Sequence, residues 1–421
     1  MRRGGSELPA VEQASPVIQT ESLSKLYGAR KAVEELSLAI APGEVFGLLG
    51  SDGAGKTTPL QMLAGILDPS AGRAAVLGYD IVREAAAINA RIGYMSQIFS
   101  LYGRLTVDQN LDFFADLHRV PENAKRGRKA RLLDFARLQS HRGRLAKDLS
   151  GGMQKKLALC CALIHEPPLL LLDEPTTGVD PVSRREFWNI LYQALAGGTT
   201  IVVCTPYMDE AERCTRVALM HAGRLIACDA PRKLRSRMPG TMLELAAKPQ
   251  RAALSKLQAA YPQTRPYLFG DRIHLRVPDD DIDRSALRSA VADAGATLED
   301  LKTVEPSLED VFVTVLPESL PPPAAATPAR ISAGSETAVE ARELTVKFGA
   351  FTAVERVSLS VRRGLRVPRA QWLRQDHHHP RALRPAYTQL GAGVCRRALG
   401  GQRIRCRQIA HRLYVPALLA I

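Results

Sequence analysis

At 421 residues the chain has room for two or three domains and a sizeable core. Its formal charge of +14 suggests a nucleic-acid partner until it is mapped: thirteen arginines and one aspartate lie from Arg362 to the end, leaving 44 basic against 42 acidic residues before that point. A nearly neutral body argues against a nucleic-acid face in the folded part, and no stretch reaches about 18 apolar residues, which argues against a membrane-spanning helix.

Residues 1–16 begin MRRGGSELPAVEQ, without the charged-then-apolar build of a signal peptide. The seven cysteines have neither metal-type nor paired spacing and read as buried thiols of a reducing cytosol. From 17 to 45, short apolar runs alternate with turns, which predicts antiparallel strands. Tyr27, before Gly28, is the aromatic best placed to stack on a nucleotide base; the alternative is an ordinary strand tyrosine.

The apolar run Val45 to Leu49 leads into Gly50, Ser51, Asp52, Gly53, Ala54, Gly55, Lys56 and Thr57, which fit the pattern G-x-x-x-x-G-K-[ST]. A strand delivers the chain to a loop whose glycines let N–H groups curl around a polyphosphate. Lys56 would reach the β and γ phosphates, Thr57 would ligate Mg²⁺, and the helix beginning here would point its positive end at the anion. That helix, TPLQMLAGIL, contains Pro59. The proline is cheap if it falls within the first four positions and costs about 3 kcal/mol if it falls deeper.

Gln97 ends a strand-like run, RIGYMSQ, where its amide would reach a metal or the attacking water; alone it would read as an exposed polar residue. Residues 106 to 168 read as mostly helical, with AKRGRKAR (124–131) a solvated face. LSGGMQ at 149–154 opens a helix, with Ser150 as N-cap and the glycines leaving N–H groups open to a phosphate. The leucines 169–172 predict a strand buried on both faces, so Asp173 and Glu174 emerge at its C-terminal edge. Asp173 would hold Mg²⁺ through water and Glu174 would orient or deprotonate the water attacking the γ phosphate.

The phosphate loop, Gln97, LSGGMQ, LLLLDEPTTGVD ending at Asp180, and PYMDEAERCTRVALMHAGRL (206–225) occur in an order and spacing that resemble the ATP-binding subunits of ABC transporters. The resemblance covers about residues 17–235. It implies an α/β fold of the P-loop NTPase, ABC type, with a mixed sheet and a helical subdomain, and with ATP and Mg²⁺ as cofactors. It also implies a head-to-tail sandwich of two such domains, here a homodimer, with each ATP between one phosphate loop and the partner's LSGGMQ. Tyr27 would stack on adenine, Gln97 would sense the γ phosphate, and Ser150, Gly151, Gly152 and Gln154 would close on ATP across the interface, with Thr58 and Asp180 counted among the nucleotide-binding positions. An integral-membrane permease is the implied partner, docked around Gln97 and residues 98–110 on the cytoplasmic side of the membrane. One position departs from the family: where a histidine usually contacts the γ phosphate stands Pro206, so slow hydrolysis is expected.

Residues 236–316 read as a small α+β accessory domain without a catalytic constellation, and its end, PSLEDVFVTVL, resembles drug-exporter subunits of the antibiotic-resistance type. Residues 317–338 read as a Pro/Ala linker. Then ARELTVKFGAFTAVERVSLSV (341–361) repeats TESLSKLYGARKAVEELSLAI (20–40) at an offset of 321, with Phe348 opposite Tyr27, so residues 339–361 read as the start of a second nucleotide-binding domain. No second phosphate loop follows. A metal site or a tag relic would account for His377-His378-His379, but a frameshift accounts for more. Read one base later, codons for Gln371 to Pro380 allow NGCGKTTTI, and three further segments match the first half at an offset of 319. Residues 362–421 are therefore expected to be out of frame and unable to bury a core. A ribosome-associated or other non-transport ATPase, and a defective product that binds ATP without coupled transport, are the alternatives.

Overall fold

The computed structural model describes residues 15–97, 101–278, 283–315, 337–348 and 351–362. The chain divides into two units at Pro317. The expected linker falls mostly on, and the out-of-frame segment almost wholly on, residues outside those described.

In chain order the first unit holds β1 (Ile18–Tyr27), β2 (Arg30–Ile40), β3 (Val45–Leu49), α1 (Thr57–Leu63), β4 (Ala71–Val76), β5 (Tyr79–Asp80), α2 (Ala85–Asn89) and β6 (Ile92–Met95). There follow α3 (Val107–Leu117), α4 (Glu122–Phe135), α5 (Gly151–Leu163), β7 (Leu169–Asp173), α6 (Pro181–Ala196), β8 (Thr200–Thr205), α7 (Met208–Ala211), β9 (Arg216–His221), β10 (Arg224–Asp229) and α8 (Pro231–Ser236). One sheet runs β2-β1-β4-β5 and is antiparallel; the other runs β10-β9-β3-β8-β7-β6 and is parallel except for β10.

The strand period of two sends alternate side chains of β3 into different cores. Phe46 and Leu48 share a core with Ile18 and Leu36 of the antiparallel sheet and Leu60 of α1, whereas Val45 and Leu49 face a helical core with Leu157, Trp188 and Leu191. Burial on both faces is why β3 and β7 are apolar at nearly every position. The helix α1 starts at Thr57 with Lys56 as its N-cap, so Pro59 is its third residue and gives up no intrahelical bond. Thr106 starts α3 with a reciprocal capping box to Gln109.

The basic segment of α4 departs from the solvated face expected of it. Lys125 and Lys129 are only 12% and 13% exposed and pair with Asp116 and Asp112 of α3 at 2.7 and 2.8 Å. Arg128 and Arg131 pair with Glu166 beyond α5. Ion pairs across elements are invisible to a period count along one helix.

Beyond α8, β11 (Thr241–Lys248), α9 (Gln250–Ala260), β12 (Tyr267–Phe269), β13 (Arg272–Val277), α10 (Arg284–Asp293) and β14 (Thr297–Val304) form an antiparallel sheet of order β12-β13-β11-β14 with its own core of Leu245, Leu257, Leu275, Leu287 and Val291. The last helix of the unit, α11 (Leu308–Val315), inserts Leu308, Val311 and Phe312 into the same core as Leu234 of α8.

The second unit contributes β15 (Thr337–Phe348) and β16 (Phe351–Arg362), an antiparallel hairpin. Its pairs Val339↔Val361, Leu344↔Val357 and Phe348↔Phe351 reproduce Ile18↔Ile40, Leu23↔Leu36 and Tyr27↔Arg30 at the offset of 321. The left-handed kinks coincide as well, at Ser22 and Glu35 (φ 47° and 51°) and at Glu343 and Arg356 (φ 49° and 47°). The Ser22 N–H donates to Ser37 Oγ and the Glu343 N–H to Ser358 Oγ, both at 2.9 Å. The repeated stretch builds one hairpin twice, bulges included.

Candidate nucleotide site

The loop at 50–56 leaves the C-terminal end of β3, between β8 and β9. Two glycines are required by space, and the second also by its backbone conformation. A Cβ on Gly50 would stand 2.5 Å from the Met220 carbonyl oxygen, and one on Gly55 (φ +94°) would stand 2.4 Å from that of Ala32. Within this turn Lys56 is 4% exposed and donates from Nζ to the carbonyls of Gly50 and Ser51 at 2.9 and 3.0 Å.

Asp173 and Glu174 stand where β7 ends. Thr57 Oγ1 donates to Asp173 Oδ1 at 3.1 Å; burial pushes the Asp173 carboxyl up, and the bond from Thr57 opposes it. Glu174 has φ +44°, a conformation that costs a side-chain-bearing residue about 1–3 kcal/mol, and its N–H is fastened to the Cys204 carbonyl at 2.9 Å. The bend turns its carboxylate toward the loop, with Oε1 3.8 Å from Lys56 Nζ. Gln97 Nε2 donates to Glu174 Oε2 at 2.8 Å, and Thr177 Oγ1 to the same oxygen at 3.3 Å. Five of the expected residues, Lys56, Thr57, Gln97, Asp173 and Glu174, thus form one connected site.

Gly50 and Ser51 join it through the carbonyls that Lys56 holds, while Tyr27, Ser150, Gly151, Gly152, Gln154 and Asp180 stand apart from it. Tyr27 is 49% exposed at the tip of the β1–β2 hairpin, with Lys25 Nζ 5.7 Å from its ring centre. Ser51, Asp52 and Gly53 are exposed, Ala54 is buried, and Thr58 is half-buried on α1. Ser150 caps α5, accepting from the Met153 N–H at 3.4 Å. Gly151 is exposed, and Gly152 lies so near Ser183 that a Cβ there would stand 2.7 Å from its Oγ. Gln154 donates to the Ala146 carbonyl at 3.0 Å. Asp180 caps α6, accepting from the Val182 and Ser183 N–H groups at 3.0 and 2.9 Å. Among the described residues no hydrogen bond joins Ser150, Gly151, Gly152, Gln154 or Asp180 to the loop at 50–57.

Two features gave no signal in the sequence. Lys155 Nζ donates to the Gln97 carbonyl at 3.2 Å, while its neighbour Lys156 pairs with Glu186 of α6 at 2.7 Å. Glu210, fully buried, accepts from Thr176, from Thr205 at 2.7 Å and from Trp188 at 3.4 Å, and so anchors α7 just after Pro206. Charged letters in a run such as YMDEAE read as exposed.

Among the described residues no group of three or more His, Cys, Asp or Glu is arranged to hold a metal. Mg²⁺ needs none, because it takes one or two carboxylates and draws its other oxygens from water and nucleotide phosphates. The oxygens of Thr57, Asp173 and Gln97 fit that demand.

A parallel sheet with a glycine-shaped loop and an acid pair at one edge defines a P-loop nucleoside triphosphatase fold. The ABC transporter family model matches residues 33–177. Over 361 residues the chain is 40% identical to the probable multidrug ABC transporter ATP-binding protein YbhF of Escherichia coli (strain K12), covering 83% of this chain and 61% of that one. It is 36% identical over 303 residues to the daunorubicin resistance ATP-binding protein DrrA3 of Streptomyces coeruleorubidus (71% and 96% covered), and 39% identical over 305 residues to the Nod factor export ATP-binding protein I of Rhizobium leguminosarum bv. viciae (71% and 94%). A solved structure of the ATP-binding subunit of an ABC transporter superposes with a TM-score of 0.50 at 27% identity, covering 52% of this chain and 92% of that one. The chain belongs to the ABC transporter ATP-binding protein family. No helix among the described residues is long and apolar enough to cross a membrane.

Proposed function

We propose that the chain is the ATP-hydrolysing motor subunit of an ABC exporter for a drug or another small molecule. The convergence of Gln97 and Lys56 on Glu174, beside the Thr57–Asp173 bond, is the observation that carries this reading. The loop N–H groups and Lys56 bind the β and γ phosphates, and Tyr27 stacks on the adenine. Glu174 accepts the proton of the attacking water, and Gln97 leaves Glu174 to orient that water. Bound Mg²⁺, held by Thr57, Asp173 and Gln97, would neutralise charge developing on the phosphate oxygens.

Because Ser150, Gly151, Gly152, Gln154 and Asp180 make no bond to their own loop, they serve the loop of a second chain in a head-to-tail homodimer. An integral-membrane permease docks on the cytoplasmic side, beside a cavity of about 150 Å³ lined by Met95, Ser96, Leu101 and Phe114 and near exposed Tyr102, Phe113 and Leu117. The relatives named for multidrug transport, daunorubicin resistance and Nod factor export support an exported small molecule. The twice-built hairpin supports a tandem organisation, with residues 339–361 opening a second domain whose continuation is out of frame.

The test is Glu174→Gln with MgATP. An amide keeps the shape of the carboxylate but takes no proton, so ATP persists and the variant shifts from monomer to dimer by light scattering. A variant that binds ATP and stays monomeric would contradict the shared site.

A further inference from the structure

We propose that Lys155 is a positioning residue, which holds the main chain of Gln97 against α5 so that the Gln97 amide stays beside Glu174, within reach of the water that Glu174 activates. Lys155 Nζ meets the Gln97 carbonyl oxygen at 3.2 Å, and Gln97 Nε2 meets Glu174 Oε2 at 2.8 Å. The two bonds form a line from the helix opened by LSGGMQ to the acid of β7, crossing the residue that ends the β6 segment. The neighbouring lysine is occupied otherwise, since Lys156 is turned to Glu186 at 2.7 Å. Gln97 itself is exposed, so packing does little to fix its backbone. The ammonium bond from Lys155 supplies the fixing that packing does not. Burial also lowers the pKa of Lys155, with Glu174 and Asp173 acting in the opposite sense, as a cation facing that acid pair would feel them. A movement of α5 is thereby transmitted to the side chain that occupies the catalytic carboxylate.

This rests on the ATPase reading above, and the experiment separates the two. Hydrolysis of radiolabelled ATP by the full chain is followed in Lys155→Met, Lys155→Arg, Gln97→Ala and the Lys155→Met/Gln97→Ala pair, with Lys56→Ala as control and thermal unfolding to establish that each variant folds. Lys155→Met should lower kcat about tenfold, the scale of one lost charge-assisted hydrogen bond, with KM unchanged because the amine touches no part of the phosphate loop. Lys155→Arg should restore most of the rate, and the pair should be no slower than Gln97→Ala alone, since the lysine acts through that residue. Wild-type kcat in Lys155→Met, or losses that multiply in the pair, would overturn the proposal. Hydrolysis that survives Lys56→Ala would instead sink the ATPase reading.

Discussion

Pro206 follows the last residue of β8, and its ring nitrogen has no proton to donate. Family members usually carry a histidine there that reaches the γ phosphate, and a preorganised donor of that kind is worth about 10²-fold in rate. Pro206→His is expected to raise phosphate release by that order while leaving ATP affinity nearly unchanged; an unmodified chain that already hydrolyses ATP rapidly would contradict this. Residues of the site were legible in proportion to how local their signal is. Gly50, Lys56 and Thr57 lie in one contiguous pattern, and Asp173 and Glu174 follow an apolar run, so both were readable. Lys155 was not, because the amine is defined by the Gln97 carbonyl 58 residues away.

Helix α11 shows how an element can be held by a few buried polar atoms. Ser307 and Asp310 form a reciprocal cap at its start, and the other oxygen of Asp310 accepts from Tyr267 and lies 2.7 Å from His274 Nδ1 on β13. Glu244 of β11, itself paired with Lys302 of β14, lies 3.3 Å from His274 Nε2, and Glu309 adds a further negative charge nearby. Burial alone would lower the pKa of His274, but Asp310 and Glu244 outweigh it and hold the imidazole above its ordinary 6.5. Burial would likewise raise Asp310, yet its hydrogen bonds from His274, Ser307 and Tyr267 bring it down to about 2. The raised histidine stabilises the fold fully below pH 6.5 and loses that contribution as pH rises through its folded value; the lowered aspartate contributes above 3.8 and loses its share as pH falls toward 2. Both act together between about pH 4 and 6.5. The unfolding midpoint of the wild type should therefore decline above that window more than that of His274→Gln, and parallel midpoint curves would contradict the network. PSLEDVFVTVL carries a likeness to drug-exporter subunits but does not announce the helix, and a histidine inside RIHLRV carries no mark of its two carboxylate partners.

Across the whole molecule, the antiparallel strands of 17–45 and the two buried strands were legible but their order in the sheets was not, and the repeat at an offset of 321 is built as a second hairpin with the same register. What the sequence concealed is pairing between distant charges, such as the lysines of α4 with the aspartates of α3. It also did not reveal that Gln154 and Asp180 are engaged locally, with Ala146 and with the start of α6. If LSGGMQ serves the loop of a second chain, as proposed, the chemistry waits on that chain. The proposed chemistry begins with a triphosphate taken up by Lys56, whose Nζ donates in the structure to the carbonyls of Gly50 and Ser51. Equilibrium binding of MgATP to the purified chain and to Lys56→Ala is the most direct measurement. Saturable binding by the wild type should fall at least about tenfold in the variant, the scale of losing one buried charge-assisted contact; equal affinity in the two proteins would contradict a phosphate-binding role for Lys56.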